Sequence, residues 1–249
     1  MIRAGNEDSF AADTNGTRGI FIVADGMGGH AAGEVASEMA VQIVTRELLD
    51  HDEPDGELPA RLAEAVRHAN RAIYHRTMAE VEKQGMGTTA SVLLLFGNRY
   101  LIGQVGDSRV YLMRDGVLRQ LTKDHSYVQE QVDAGLLTQE QARYHPYSNV
   151  ITRCVGASER VEPDLYEGEL HPGDLFLVAS DGLTGMVDDR RLQQLLASRA
   201  APARQVDALI AEANGRGGLD NITAIVVQVT GLGEETPVSN TPVPSRATG

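Results

Sequence analysis

Tryptophan is absent from the 249 residues, cysteine occurs once, and there are only four phenylalanines. With aromatic residues at 4% and hydrophobic residues at 42%, the core must be aliphatic, and there is enough material for a full one. The single Cys154 excludes an intrachain disulfide and a cysteine-based zinc site, and it suits a reducing cytosol. Within Ile151-Thr152-Arg153-Cys154-Val155-Gly156 it reads as a small buried residue rather than a nucleophile. Positive charge is also short. The 22 Lys and Arg face 35 Asp and Glu, and the resulting net charge of -13 argues against nucleic acid or an anionic membrane as the main partner. No apolar stretch approaches the ~20 residues that span a bilayer, and Met1-Ile2-Arg3-Ala4-Gly5 does not open a signal peptide. These absences point to a cytoplasmic protein of one large domain or two small ones.

Hydrophobic periodicity supplies the elements. Residues 19–24 read as a buried strand. From 31 to 49 the rows Val35-Met39-Ile43 and Ala36-Ala40-Val44-Leu48 predict a helix. An acidic loop over 51–59 leads to a second helix with Leu62, Val66, Ala69 and Ile73 on one face, stopped by Gly85-Met86-Gly87. Three strands are predicted at 88–96, 100–105 and 109–113, and Arg114-Asp115-Gly116 is a strong hairpin signal. Residues 123–150 are polar, with a short helical piece near 128–134 and Gly135 as its stop, and they read as an inserted flap. Strands return at 161–167 and 174–179, helices at 189–198 and 203–214, and a last strand at 221–229. Residues 230–249, rich in Gly, Pro, Thr and Ser, are expected to be a disordered tail behind a 1–229 domain. Hairpin-linked strands and paired helices favour antiparallel sheets covered by helices, an α+β arrangement.

The excess of acid is not scattered. Ile20-Phe21-Ile22-Val23-Ala24 ends in Asp25-Gly26-Met27-Gly28-Gly29, and Leu101-Ile102-Gly103-Gln104-Val105 runs into Gly106-Asp107-Ser108. Leu175-Phe176-Leu177-Val178-Ala179 ends in Ser180-Asp181-Gly182, Asp220-Asn221 opens the last strand, and Asn6-Glu7-Asp8 precedes Ser9-Phe10. Carboxylates carried into a packed interior are costly unless paired or bound to metal. Several converging ones call for a hard divalent cation with oxygen ligands. Each turn taken singly also reads as an ordinary capping or hairpin corner. The glycines after Asp25 allow a close backbone approach, but no Walker lysine accompanies them, so a nucleotide loop is the poorer reading. Arg3 suits bidentate phosphate recognition, and a surface ion pair is its bland alternative. His30 and His125 read as polar loop residues. No serine has a convincing histidine–acid partnership.

Six segments occur in a set order: Arg3-Ala4-Gly5-Asn6-Glu7-Asp8, Asp25-Gly26-Met27-Gly28-Gly29-His30, Gly85-Met86-Gly87-Thr88-Thr89, Val105-Gly106-Asp107-Ser108-Arg109, Ser180-Asp181-Gly182-Leu183 and Asp220-Asn221-Ile222-Thr223. In this the chain resembles the bacterial metal-dependent protein phosphatases of type 2C, from Arg3 to about Val229. The resemblance implies a four-layer αββα sandwich with the metal site at one end. It implies that Asp25 bridges two Mn²⁺ or Mg²⁺ ions, that the Gly26 carbonyl binds the second, and that Asp181 and Asp220 complete the first. Glu7 and Asp8 would hold metal-bound waters, Asp107 with Asp181 a weaker third ion, and Arg3 the substrate phosphate. The expected activity is hydrolysis of phosphoserine and phosphothreonine in proteins by a metal-activated water. A monomer reversing the protein kinases of its own cell is the expected setting. The rivals are an inactive pseudophosphatase, which would have lost a metal carboxylate, and a hydrolase of small phosphate esters. Two departures stand out. Met27 occupies the place where some members carry a histidine acid, and only two residues precede Arg3 where members usually have a strand.

Overall fold

The structure is a computed structural model that describes residues 5–14, 18–29, 31–49, 55–198 and 200–232. In chain order the first half comprises β1 (Asp8–Thr14), β2 (Arg18–Met27), α1 (Ala31–Leu49), α2 (Leu58–Ala79), β3 (Gly87–Thr88), β4 (Ala90–Phe96) and β5 (Arg99–Val105). There follow β6 (Arg109–Arg114), β7 (Val117–Gln120), α3 (Tyr127–Asp133), α4 (Gln139–Arg143) and β8 (Asp164–Glu169). The chain closes with β9 (Leu175–Ala179), α5 (Asp181–Thr184), α6 (Asp189–Leu196), α7 (Pro202–Gly215) and β10 (Ala224–Gln228).

One sheet runs β1-β2-β4-β5-β8, with the short β3 beside β2, and the other runs β10-β9-β6-β7. Every pairing is antiparallel. Side chains alternate across each strand, so each sheet serves two apolar layers. Ile20, Ile22, Val92 and Leu94 face Ala36, Ala40, Val44, Leu62 and Ile73 of α1 and α2. From the same strands Val23 and Leu93 face the other way and meet Val110, Phe176 and Val178 between the sheets. Tyr111, Leu177 and Ala179 turn outward onto Leu192 of α6 and Leu209 of α7. The result is the expected αββα sandwich.

Several boundaries differ from those the sequence suggests, each for a local reason. The second helix begins at Leu58 because Pro59 fits its first turn, where no amide partner is needed. It ends at Ala79, ahead of the glycines, in a 3₁₀ turn at Val81–Lys83. The strand expected at 161 starts at Asp164, and the last one starts at Ala224. The Asp115-Gly116 corner joins β6 to β7 with both residues at positive φ, as a two-residue hairpin turn requires. Residues 123–150 lie between β7 and β8. They hold α3, capped by Ser126, and α4, which has a reciprocal capping box between Thr138 and Gln141. Of the tail, only residues up to 232 fall within the described part.

Candidate metal centre

The strand ends named above meet at one end of the sandwich. Asp8 and Asp25 are register partners across β1 and β2. The Gly26 amide donates to the Glu7 carbonyl at 3.1 Å. From the second sheet, Ser180 Oγ and Thr223 Oγ1 donate to Asp8 Oδ2 at 2.9 and 2.7 Å. Ser180 itself accepts from the Thr223 amide at 3.0 Å. Asn221 holds the chain start, with its Oδ1 accepting from the Glu7 amide at 3.0 Å and its Nδ2 donating to the Gly5 carbonyl at 2.9 Å. A side chain at residue 26 would collide with Gly33 of α1 and with Glu7, and one at residue 33 would fall on the Glu7 carboxylate. The approach of α1 to the acidic turn therefore needs glycine on both sides.

Asp25 is fixed through its main chain. Its amide donates to Thr89 Oγ1 at 2.8 Å, and its carbonyl accepts from the Thr89 amide and from Thr88 Oγ1, each at 2.9 Å. Thr89 Oγ1 also lies 2.8 Å from Ser108 Oγ, next to Asp107. Sequence reasoning left the hydroxyls of Thr88, Thr89, Ser108, Ser180 and Thr223 without a role. The only signal for them was their place inside the six ordered segments.

The electrostatics are adverse without a cation. Burial pushes the Asp8 carboxyl from 3.8 to about 6, with Asp181 and Asp220 adding repulsion and the Thr223 and Ser180 hydroxyls pulling it back down. Burial likewise holds Asp25 well above the carboxylate range, reinforced by the charges of Asp181, Asp8 and Asp107. Asp107 is raised the same way, by burial first and then by Asp181 and Asp124. Asp8 Oδ1 and Asp107 Oδ1 are buried with no hydrogen-bond partner among the described residues. A buried acceptor left so is expensive, and a hard cation is the partner that fits oxygen donors of this kind. Side chains alone do not close the coordination. Among the described residues no three His, Cys, Asp or Glu side chains stand ready around one point. Divalent Mg²⁺ and Mn²⁺ complete such partial sets with backbone carbonyls and water.

The structure thus brings together Glu7, Asp8, Asp25, Gly26, Asp107, Asp181 and Asp220. Arg3 and His30 lie outside the described residues. Arg109 is not free for a substrate, because it makes bonds of 3.0 and 2.7 Å to Asp124. Asp107, Asp181 and Asp220 line a groove of about 1030 Å³ whose opposite wall is the flap, through Arg143, Tyr144 and Asn149.

The sequence pattern of the family described as protein phosphatase 2C matches residues 3–213. The chain is 44% identical over 229 residues to the serine/threonine protein phosphatase PstP of Mycobacterium tuberculosis, covering 92% of this chain but 43% of that protein. It is 38% identical over 234 residues to the serine/threonine phosphatase stp of Listeria monocytogenes, covering 91% of each. A crystal structure of the PstP catalytic domain in complex with two manganese ions superposes with a TM-score of 0.81 at 42% identity, over 91% of this chain and 92% of that one.

Proposed function

The chain belongs to the protein phosphatase 2C family, and on that premise we propose that it hydrolyses phosphoserine and phosphothreonine in proteins with Mn²⁺ or Mg²⁺. The carrying observation is the set of buried, mutually repelling carboxylates, with unpartnered oxygens on Asp8 and Asp107, whose members Asp107, Asp181 and Asp220 line the groove. A pair of such ions supplies the charge that lowers the pKa of a water and offsets the charge gathering on the phosphoryl oxygens.

In this reading Asp25 would serve both ions, Asp181 and Asp220 the first, and the Gly26 carbonyl the second. Glu7 and Asp8 would act through water, and Asp107 with Asp181 would hold a weaker third. Thr88 and Thr89 keep the Asp25 main chain from shifting as charge arrives. Ser180 and Thr223 hold one Asp8 oxygen and leave the other facing inward. Arg3 is the candidate clamp for the substrate phosphate, since a guanidinium makes two parallel bonds to it. Met27 has no proton to give, and in this reading a water at the ions would protonate the leaving serine or threonine oxygen. The substrates are phosphoproteins, among them kinases and their targets, met by a monomer in bacterial cytoplasmic signalling.

The test is release of phosphate from a phosphothreonine peptide after exhaustive chelation and again after Mn²⁺ is returned. Activity should vanish and come back. Full activity in the chelated protein would sink the proposal, and a preference for free phosphoserine over the peptide would remove its protein-substrate half.

A further inference from the structure

We infer that His125, at the root of the flap, is a positioning residue that sets the Gly106-Asp107 turn and so aims the Asp107 carboxylate. The inference rests on the reading that Asp107 receives a divalent ion.

Both main-chain polar groups of residue 106 bond to this one residue, with Gln104 Nε2 also donating to the carbonyl at 3.1 Å, so the amide is the group that His125 alone is seen to hold. The Gly106 amide donates to His125 Nδ1 at 3.1 Å, and the Gly106 carbonyl accepts from the His125 amide at 2.9 Å. The turn needs such a grip. Gly106 has φ +102, where side chains are rarely tolerated, and a Cβ there would press into Thr89. Asp107 follows directly. Its buried Oδ1 has no hydrogen-bond partner among the described residues, so side-chain bonding to that oxygen does not fix its direction. The backbone does so, through the turn and through a bond from the Asp107 main chain to its own carboxylate.

The tautomer follows from the donor. A backbone amide can only donate, so Nδ1 accepts and the ring proton sits on Nε2. That atom faces Asp164 Oδ2 of β8 at 3.2 Å, and Asp164 Oδ1 accepts from Arg153 at 2.6 Å. Against the pull of Asp164, burial lowers the ring's pKa from its ordinary value and so favours the neutral form. A charged ring would set a donor against the Gly106 amide.

The same residue also closes the flap. The Thr152 amide donates to the His125 carbonyl at 2.8 Å, and Ser126 bridges Ile151 across the base. Flap seating and the aim of Asp107 therefore meet at one residue, the flap through its main chain and the turn through its ring. A histidine that merely filled space would need neither the directed Nδ1 bond nor the Asp164–Arg153 chain behind it.

The two ring nitrogens can be tested separately. In His125→Asn the amide oxygen can replace Nδ1, whereas the longer His125→Gln side chain reaches only the Nε2 position. Hydrogen exchange of the Gly106 amide in the metal-free protein and calorimetric Mn²⁺ titration are the readouts. His125→Asn should keep Gly106 protection and weakest-site Mn²⁺ affinity near the parent's. His125→Gln should lose at least ~10-fold in both, the scale at which residues behind a metal ligand act. Equal losses in the two variants would overturn the inference, as would parent-like behaviour of His125→Gln. Asp164→Asn, which leaves the histidine in place, gives an independent arm. Faster Gly106 exchange supports the chain from β8, and unchanged exchange removes it. Asp107→Asn separates the premise: an unaltered Mn²⁺ titration there would overturn the ion's placement, whereas Gly106 exchange would still judge the grip of His125.

Discussion

The acid cluster should make the metal-free protein lose stability as pH rises, and Asp8 allows the size to be worked out. Its carboxyl is raised from 3.8 to about 6 in the folded state. In the unfolded chain it ionises first, so between these values the unfolded state binds fewer protons and the native state is penalised. The effect is absent below about pH 3.8 and complete above about pH 6. At about 1.4 kcal/mol per unit it amounts to roughly 3 kcal/mol. Asp25 and Asp107, also raised, act in the same direction. Other groups act against them. His125 is lowered, so its contribution is lost as pH falls through the unfolded value of 6.5. Asp174 and Asp188 are lowered too, and theirs is lost below 3.8. The diagnostic quantity is therefore a difference. Urea unfolding of the chelated parent and of Asp8→Asn at pH 4 and pH 7 should diverge by about 3 kcal/mol, with the variant gaining at pH 7. The amide oxygen can still accept from Ser180 and Thr223, so the bonds across the sheets survive. Saturating Mn²⁺ should restore the parent at pH 7 and help the variant less. Parallel pH curves for the two chelated proteins would refute the reasoning.

Asp25→Asn and Asp181→Asn should each reduce turnover by at least ~10²-fold on an aryl phosphate while circular dichroism stays native, the scale of a lost electrostatic stabiliser. Thr89→Val removes the bond to the Asp25 amide and the contact with Ser108, so it should cost about 1–3 kcal/mol in urea unfolding and raise the Mn²⁺ concentration for half-maximal activity. Gly33→Ala places a methyl on the Glu7 carboxylate, and Mn²⁺ calorimetry should register weaker binding despite a helix-favouring substitution. Shortening the flap between 127 and 149 should lower activity on phosphoproteins more than on an aryl phosphate, and equal losses would deny the flap a part in substrate choice.

The sandwich and the acids were legible for the same reason. An apolar run that stops abruptly at an acid marks both a buried strand and the end at which its chemistry emerges, as at Ala24-Asp25 and Ala179-Ser180-Asp181. β1 was harder to see. Its seven residues, DSFAADT, hold one large apolar side chain, and that one, Phe10, is 64% exposed. Pairing with β2 defines this edge strand, and no periodicity announces it. α5 escaped because four residues carry no helical period. The hydroxyl network was illegible because Ser180 and Thr223 acquire meaning only when Asp8 arrives from the far end of the chain. His125 resembled a polar loop residue until the flap's closure placed it against Gly106.

The bond from the Glu7 amide to Asn221 joins residues 214 apart, and that from Thr223 to Asp8 joins residues 215 apart. On the proposed function, competence therefore depends on residues from both ends of the fold and waits until those beyond Asp220 are in place. A ribosome-bound chain ending before Asp220 would have Asp25 and Asp107 but would lack Asn221's hold on Glu7 and the Thr223 bond to Asp8, and on the proposed function it could not strip phosphate from neighbouring proteins during its own synthesis. On the proposed function, a protease cut that released residues from 216 onward would abolish phosphate release without touching Asp25.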